Sequence, residues 1–516
     1  MTSVAASPNS APSAALPELD TVLQARQSAL AAMHLRAVKS IEIAGSIVGG
    51  DLIGAFHHWT SGANSREDDE LASHVVRIIR LGDRTYVVNE TGNVRELRGV
   101  LARHQRTQDF IENGGFVSQP QYDKLVGKQQ LDPERSAYAI EVDPPQGQRE
   151  TVYVDDRTWM IDRIAYDQDD GIATEDYYGY AAFHGALVAA REVDSNGDRA
   201  YDVSHYTRRV VVDGAISPSV FALPASTVVQ TDKPVTVPLR EEQGHLYVPV
   251  RVGGREYTFL LDTGAQMIAL DSQVAREQHL NAAGRLEVAG ASRTGGLGFA
   301  QLDALQIGGV DVPVRSVSVL DLSAATGGAD GVLGYPFFAS AEVTIDPVSR
   351  TMTFGKPGSL KASGAAIDID NDRGLIEMPG SVNRVDGTFV VDTGNSTEML
   401  LYSPFMASHP YVVPLEDRER PANNYGVGGS ARAAFGYVDE LEFGPFNFYN
   451  RYASIMMSDR GAFADRFDAG NIGMGVLKNF VITFDEANAK IYVAKTAAFD
   501  DGRFRRRTED PGVMFQ

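Results

Sequence analysis

The sequence predicts a mainly β fold, in which one helix and a long antiparallel sheet precede two copies of a β-rich unit. Leu19, Val22, Leu23, Leu30 and Met33 recur with helical spacing. Further along, segments such as VVRIIRL, RTYVV and RETVYV have the period of two that is typical of strands, and Gly, Asn and Asp turns separate them. The second half of the chain repeats a set of motifs in the same order, which indicates an internal duplication.

The composition excludes several classes of protein. The chain has 516 residues, a net charge of −21 and no cysteine. Without cysteine there can be no disulfide framework, thiolate metal site or cysteine nucleophile. The acidic balance argues against nucleic acid as a partner, because phosphate binding needs concentrated Lys and Arg. No apolar stretch is long enough to span a membrane, and the length allows about three or four domains.

The N-terminal residues 1–18 are rich in Ala, Ser and Pro, which predicts a flexible leader. No basic region followed by an apolar segment marks a signal peptide there. The same composition fits the first residues of a mature exported protein. We therefore expect a periplasmic or otherwise exported protein, with the cytoplasm as the alternative.

The predicted first domain, residues 19–228, resembles the half-barrels of periplasmic lipoprotein carriers and receptors. The resemblance lies in the segments TVYVDDRTWMIDRIAYDQDDG, ATEDYYGYAAFHGALVAAREV and YTRRVVVDGAISPSVFALP. It implies a curved antiparallel sheet wrapped around helices, with a concave apolar face able to hold a lipid or a peptide. A purely structural or interaction domain is the alternative.

Two groups in this domain resemble metal sites only superficially. Asp194, Asn196 and Asp198 imitate the start of a calcium loop, but Arg199 stands where that loop needs Gly. The pair Asn196-Gly197 predicts instead a tight turn between two strands. The adjacent His57 and His58 have no other ligands at a suitable spacing. We therefore expect no metal site and no cofactor.

The duplication is visible in three motifs, each of which recurs further along the chain. Their offsets grow from 130 to 136 and then 139 residues, as expected for two copies that differ in loop length. The copies predict two lobes, residues 229–357 and 358–498, followed by a C-terminal tail, 499–516. The paired motifs are 259–265 with 389–395, 303–308 with 439–444, and 344–346 with 483–485.

The first motif of each copy carries chemistry. An apolar strand ends in an Asp, a Thr and a Gly, which supply a carboxylate, a hydroxyl that can lock the loop, and a backbone free to turn tightly. Two such carboxylates meeting across a pseudo-twofold axis cannot both ionise readily, so one keeps its proton. The pair then offers a general base beside a general acid, ready to activate a water. The residues are Asp262, Thr263, Gly264, Asp392, Thr393 and Gly394.

With these motifs, residues 235–495 resemble aspartic proteases of the pepsin and retropepsin type, particularly the bacterial two-repeat form. The resemblance implies a bilobal all-β domain in which Asp262 and Asp392 are catalytic and Thr263 and Thr393 brace the loops. It also implies a polypeptide substrate, no cofactor, and a monomer with two pseudo-symmetric lobes.

The family's second signature, two apolar residues and a Gly that back the active loop, is present as Val332-Leu333-Gly334. In the second lobe the nearest match is Gly473-Met474-Gly475, which departs from the pattern. Gly334 and Gly475 are therefore expected to support the active loops.

Gly-rich segments at 290–298 and 425–430 are expected to be hairpin tips that close over the substrate as flaps. The candidate flap residues are Gly295, Gly296, Tyr425 and Gly428. The first tip has no Tyr, unlike the flap of pepsin-type enzymes, and plain surface turns are the alternative.

The sequence predicts an aspartic endopeptidase. The alternative is an exported protein that binds a hydrophobic ligand or a peptide, with an inactive protease-like scaffold. No serine-hydrolase elbow, zinc-protease helix motif or phosphate-binding loop is present. The fusion of the two parts suggests the further hypothesis that the N-terminal domain covers the cleft or recruits substrate.

Overall fold

The computed structural model describes residues 16–71, 74–288, 295–302, 304–322, 326–426 and 429–507. Within these residues the chain is mainly β, which confirms the predicted fold class. None of the helices in the described part of the chain has the length and apolar character that crossing a membrane requires. The predicted leader lies largely outside the described residues, as does the end of the predicted tail.

The N-terminal part consists of three helices and one extended meander of strands. The helices are α1 (Leu19–Ala32), α2 (Val100–Glu112) and α3 (Gly115–Ser118). The strands are β1 (Ser40–Gly49), β2 (Leu52–Ser61), β3 (Asn64–Leu71), β4 (His74–Leu81), β5 (Arg84–Val88), β6 (Val94–Glu96), β7 (Asp123–Gln130), β8 (Ser136–Val142), β9 (Glu150–Asp155), β10 (Ile161–Gln168), β11 (Gly171–Tyr178), β12 (Ala181–Phe183), β13 (Ala186–Val188), β14 (Arg191–Ser195) and β15 (Val203–Val212).

Thirteen of these strands form one antiparallel sheet, in the order β6-β5-β4-β3-β2-β1-β15-β14-β11-β10-β9-β8-β7. The helices cover one face of the sheet, which we call the helix-bearing face: Val22 and Leu23 of α1 and Ile111 of α2 pack with Ile140 and Val152. The amphipathic patterns of helix and strand thus bury their apolar sides against each other. β12 and β13 form a separate hairpin.

The predicted turn at Asn196-Gly197 does connect two antiparallel strands, but it is longer than a tight hairpin. β14 ends at Ser195 and β15 begins at Val203, and a 3-10 turn, Arg199–Tyr201, lies between them. Gly197 has φ +91°, a conformation that glycine adopts readily. Asp198 caps the 3-10 turn by accepting a hydrogen bond from the Ala200 amide.

The remainder of the described chain is built from strands and short helices. The helices are α4 (Ser272–Glu277), α5 (Tyr335–Ser340), α6 (Ser403–Ser408) and α7 (Met474–Leu477). The strands are β16 (Val235–Pro238), β17 (Arg240–Glu242), β18 (His245–Val252), β19 (Arg255–Leu261), β20 (Ala269–Asp271), β21 (Ala283–Val288), β22 (Gly295–Gln301), β23 (Leu305–Ile307), β24 (Val310–Val312), β25 (Ser316–Leu320), β26 (Gly331–Leu333), β27 (Glu342–Asp346), β28 (Thr351–Gly355), β29 (Ala365–Asp368), β30 (Glu377–Val382), β31 (Val385–Val391), β32 (Met399–Leu401), β33 (Glu419–Gly426), β34 (Gly429–Phe443), β35 (Phe446–Met456), β36 (Gly470–Ile472), β37 (Phe480–Asp485) and β38 (Lys490–Lys495).

These strands form one sheet for each copy of the duplication and a third sheet that the copies share. The first copy has the order β21-β22-β25-β20-β26-β19-β18-β23-β24, and the second has β30-β31-β36-β32-β35-β34-β33. The shared sheet has the order β16-β28-β27-β37-β38-β29. At its centre Thr344 of β27 pairs with Thr483 of β37, and their hydroxyl oxygens are 2.8 Å apart. The third repeated motif therefore meets its own copy on the pseudo-twofold axis.

The segment that leads into the second copy is held by the N-terminal part. The Asp372 carboxylate accepts hydrogen bonds from the amides of Arg98 and Gly99, just before α2, at 2.6 and 2.5 Å. It also accepts one from the amide of Ala102, in the first turn of α2, at 3.3 Å. The neighbouring Arg373 is 8% exposed and pairs with Asp169 of the N-terminal part at 2.9 Å. It also pairs with three carboxylates of the second copy, those of Glu377, Asp465 and Asp468.

The described part of the predicted tail lies against the second copy. Phe499 packs among the aromatic rings of Phe446, Phe448 and Phe480. Arg505 pairs with Glu398. Residues 499–507 thus have specific partners.

Candidate active site

Each Asp-Thr-Gly motif lies at the end of a buried central strand. β19 runs parallel to β26 and delivers Asp262, whose amide donates a hydrogen bond to the carbonyl oxygen of Leu333 at 3.1 Å. β31 runs parallel to β36 and delivers Asp392, whose amide donates to Ile472 at 3.0 Å. The same register in both copies brings the two motifs to matched positions.

The two threonines lock the loops together by reciprocal hydrogen bonds. The Thr263 hydroxyl donates to the carbonyl oxygen of Val391 at 2.6 Å, and the Thr393 hydroxyl donates to that of Leu261 at 2.8 Å. Each hydroxyl oxygen also accepts a bond from the amide of the opposite threonine, at 3.1 and 2.9 Å. Both residues are at most 1% exposed, so water cannot compete for these bonds.

The two glycines allow the carboxyl groups to approach the opposite loop. The Gly264 amide donates to Asp262 Oδ1 and the Gly394 amide to Asp392 Oδ1, both at 2.9 Å. A Cβ atom on Gly264 would lie 2.6 Å from Cγ of Asp392, and one on Gly394 would lie 2.3 Å from Cγ of Asp262. Since real Cβ atoms do not approach so closely, only glycine fits at either position.

The two carboxyl groups titrate as a coupled pair. Each Asp is 9% exposed, and a hydrogen bond joins the two side chains. Burial raises the pKa of Asp262 to about 6. Burial, and then repulsion by Asp262, raise the pKa of Asp392 well above its usual range. The pair therefore holds a proton over a wide pH range, with one acid beside one base.

One site residue, Asn471, was not predicted. Its side-chain amide donates to Asp392 Oδ2 at 2.6 Å and accepts at Oδ1 a bond from the Asn395 side chain at 2.8 Å. Val332 occupies the equivalent position in the first copy, so the two aspartates differ in their hydrogen bonds. The signal in the sequence is that the second copy has a polar residue, Asn471, where the first copy has the apolar Val332.

The structure also corrects the second signature of the second lobe. β36 pairs with β31 so that Asn471, Ile472 and Gly473 match Val332, Leu333 and Gly334. Gly473 is therefore the counterpart of Gly334, rather than Gly475. A Cβ atom would lie 2.0 Å from the Met267 carbonyl oxygen at Gly334 and 2.5 Å from that of Thr397 at Gly473, so both glycines closely back a turn after the active loop.

Gly475 has a different position from the predicted one. It lies within α7, and its amide donates to the carbonyl oxygen of Thr397 at 2.8 Å. A Cβ atom there would lie 2.6 Å from Cγ of Glu398. Gly475 therefore helps α7 to pack against Thr397 and Glu398, just before β32, and is not part of the signature.

The predicted flap residues lie only partly within the described chain. Gly295 and Gly296 are in β22, which pairs with β21, and Tyr425 is in β33, opposite Ser430 of β34. Gly428 and residues 290–294 lie outside the described residues. Their role as flaps stays a prediction.

The hairpin that carries the first Gly-rich segment contacts the N-terminal sheet. Phe299 of β22 packs against a cluster that includes Ile47, Leu52 and Leu71. Its ring centroid lies 5.1 Å from that of His74. The first candidate flap is thus anchored at its base by the other half of the chain.

Comparison with known proteins agrees with the predicted resemblance to aspartic proteases. Residues 248–337 match the family model described as aspartyl protease. This segment includes Asp262, Thr263, Gly264 and Gly334. No curated protein is significantly similar to the chain.

Two solved structures are similar to the N-terminal part. One is described as an outer membrane lipoprotein-sorting protein domain from Vibrio parahaemolyticus; it has 6% identity, covers 39% of this chain and 95% of its own, and gives a TM-score of 0.27. The other is a LolA superfamily protein from Nitrosomonas europaea, with 15% identity, coverage of 38% and 97%, and a TM-score of 0.27.

Proposed function

We propose that the protein is an aspartic endopeptidase that hydrolyses peptide bonds with a water activated by Asp262 and Asp392. The observation that carries this proposal is the hydrogen-bonded pair of buried carboxyl groups, held in place by Thr263 and Thr393 across the pseudo-twofold axis. Buried carboxylates without counter-charges destabilise a fold. A buried pair of this kind therefore points to a functional role that outweighs its cost in stability.

In the proposed reaction, one carboxylate removes a proton from the water as its oxygen attacks the carbonyl carbon of the scissile peptide bond. The protonated carboxyl group of the pair donates its proton to the carbonyl oxygen. The resulting tetrahedral diol collapses when a carboxyl group protonates the leaving nitrogen and the other carboxylate accepts a hydroxyl proton. The dyad returns to its single-proton state, and no covalent bond to the protein forms.

The proposed substrate is a polypeptide that binds in extended form between the hairpins β21–β22 and β33–β34. Extended segments suit such a site because they can pair their backbone with strand edges. One chain supplies both aspartates, so we propose that it acts as a monomer. An exported location stays a prediction from the sequence.

The test is cleavage of casein or of a peptide library by the purified full-length protein, measured from acid to neutral pH. Asp262→Asn and Asp392→Asn should each abolish cleavage, because neither variant can hold the base and the acid together. Asp386→Asn is the matched control: Asp386 is exposed and lies on β31, the strand that leads to Asp392, so activity should be unchanged.

Undiminished cleavage by either dyad variant would contradict the proposal. An inert wild-type protein that co-purifies with lipid would instead favour the alternative, a binding protein with an inactive protease-like scaffold.

A further inference from the structure

A group of charged side chains lies on the helix-bearing face of the N-terminal sheet. The strands that carry them are distant in sequence from Asp262 and Asp392. Glu67 and Asp69 are two residues apart on β3, and His205 is on β15. β14 adds Asp194 beside His205. We call these four residues the β3–β15 cluster. The register also places other acidic residues on this face, namely Glu150, Glu175 and Glu192.

His205 is the most buried member of the β3–β15 cluster and has an unused ring nitrogen. It is 8% exposed, and its Nε2 lies 3.2 Å from Oδ2 of Asp69. Its Nδ1 is buried and makes no hydrogen bond, although Asp194 Oδ2 is 3.5 Å away. Asp69 Oδ1 is likewise buried without a partner. Buried polar atoms are nearly always paired, so the unpaired Oδ1 of Asp69 points to a missing ligand, while the unpaired Nδ1 of His205 is within reach of Asp194.

The carboxylates of the β3–β15 cluster lack a strong counter-charge. Among the described residues, the ion-pair partner of Asp69 and of Asp194 is His205, and Glu67 has no Lys or Arg within ion-pair distance. Three carboxylates thus face the imidazole of His205 in a partly buried place, and a second imidazole near them is that of His58, which lies opposite Glu67 on β2. A small dication would compensate them far better than a neutral ligand such as an acyl chain.

The distances suit a transition-metal ion. One ligand atom each from Glu67, Asp69 and His205 lie within 4.8 Å of one another. In a tetrahedral site with bonds of about 2.0–2.2 Å, neighbouring ligand atoms are about 3.3–3.6 Å apart. His205 Nε2 and Asp69 Oδ2 already have nearly that separation. A small movement of Glu67 would place its carboxylate at a third corner of the tetrahedron.

We propose that Glu67, Asp69 and His205 bind a divalent transition-metal cation such as Zn²⁺ between the helix-bearing face and α2. His205 would bind through Nε2, and the proton would then lie on Nδ1, directed at Asp194. Ligating histidines commonly donate their second nitrogen to a carboxylate in this way, which fixes the ring and strengthens the bond. The mixture of one imidazole and two carboxylates favours a transition metal over Ca²⁺ or Mg²⁺, which prefer oxygen alone.

The experiment is calorimetric titration of chelator-treated full-length protein with Zn²⁺, with Mn²⁺, Ca²⁺ and Mg²⁺ in parallel. We expect saturable binding of one Zn²⁺. Glu67→Gln, His205→Gln and the positioning variant Asp194→Asn should each weaken it by about tenfold or more. Glu70→Gln is the matched control, because Glu70 is exposed on the same strand as Glu67 and should leave the affinity unchanged.

Three results would overturn the proposal: no saturable Zn²⁺ binding, unchanged affinity in the Glu67→Gln variant, or binding of Ca²⁺ or Mg²⁺ with none of Zn²⁺. Circular dichroism and thermal melting check each variant; if His205→Gln does not fold, the isosteric Glu67→Gln decides. The readout does not involve peptide cleavage, so this proposal and the proposed peptidase activity can fail separately.

Discussion

Two glycines set how closely the carboxyl groups of Asp262 and Asp392 can approach the opposite loop. Gly394→Ala would place a methyl group 2.3 Å from Cγ of Asp262, against buried and hydrogen-bonded groups that have little room to move. We expect kcat/KM to fall by about 100-fold or more, since displacements of about 1 Å at reacting groups have that effect. Gly127→Ala is the control, because its Cβ would meet open space. Equal activity of the two variants would contradict this account of the glycines.

Asn471 makes the two halves of the site unequal. In Asn471→Val, which copies the residue of the first lobe, Asp392 would lose a donor at 2.6 Å. A donor stabilises the ionised form, so its removal should raise the pKa of the pair's first ionisation. The acid limb of the kcat/KM profile should then move to higher pH by about one unit. A lower rate with an unmoved profile would indicate that Asn471 only packs.

At the scale of secondary-structure elements, Arg373 joins three parts of the molecule. Its side chain is 4% exposed, and its guanidinium pairs with Asp169 of the N-terminal part and with Glu377, Asp465 and Asp468 of the second copy. Gln266, beside the first active loop, donates to its carbonyl oxygen at 2.7 Å. The packing of the N-terminal part against the protease-like part is therefore tied to the site itself.

Arg373→Met would leave these carboxylates buried without their counter-charge. We expect the free energy of unfolding, measured by urea denaturation, to fall by about 3–5 kcal/mol. Arg384→Met is the control: the Arg384 side chain is 91% exposed and lies 3.9 Å from Glu440, so its loss should cost less than about 0.5 kcal/mol. Similar small losses in both variants would show that the Arg373 cluster does not stabilise the fold.

The same elements show what the sequence could predict. The paired Asp-Thr-Gly motifs were predictable because each follows an apolar strand, and a strand end fixes where its next residues lie. α1 was predictable from spacing alone. Gly473, rather than Gly475, matches Gly334, and the pattern of two apolar residues before a glycine does not reveal this because Asn471 is polar.

Local sequence patterns could not predict contacts between residues that are distant in the chain. His205 lies 136 residues from Asp69, and only the pairing of β1 with both β15 and β2 brings their strands near each other. Arg373 gave no signal either: Glu377 is only four residues away, but the other three carboxylates, those of Asp169, Asp465 and Asp468, come from two distant segments. The spacing of residue types predicts which side chains are neighbours within one helix or strand. The contacts of His205 and Arg373 depend instead on how distant segments are arranged in the fold.

For the whole molecule, the aspartate pair should make stability depend on pH. The pKa of Asp262 rises from 3.8 to about 6 on folding, so the folded state binds the proton more tightly than the unfolded state. This stabilisation is complete below about pH 4 and is lost as the pH rises through 6. Asp262→Asn cannot ionise, so it should resemble the wild type at pH 4 and be more stable at pH 7, by up to about 3 kcal/mol.

Thermal melting at both pH values measures this difference. A gain of equal size at pH 4 and pH 7 would mean that ionisation is not its source. The expected result would also mean that the fold gives up stability to keep two carboxyl groups together, as functional sites often do.

The central pairing of β27 with β37 has a consequence for how the molecule opens. The amides of Val343, Ile345, Ile482 and Phe484 lie in strands that come from different copies and are flanked by further strands on both sides. Those of these amides that donate between β27 and β37 can meet solvent only if this pairing opens, so they should be among the last to exchange hydrogen for deuterium. Mass spectrometry of exchanged peptides can measure this. The exchange rates of these amides would then report the free energy of separating the two copies, and with them the two aspartates. This holds whether the copies separate within a folded protein or by complete unfolding.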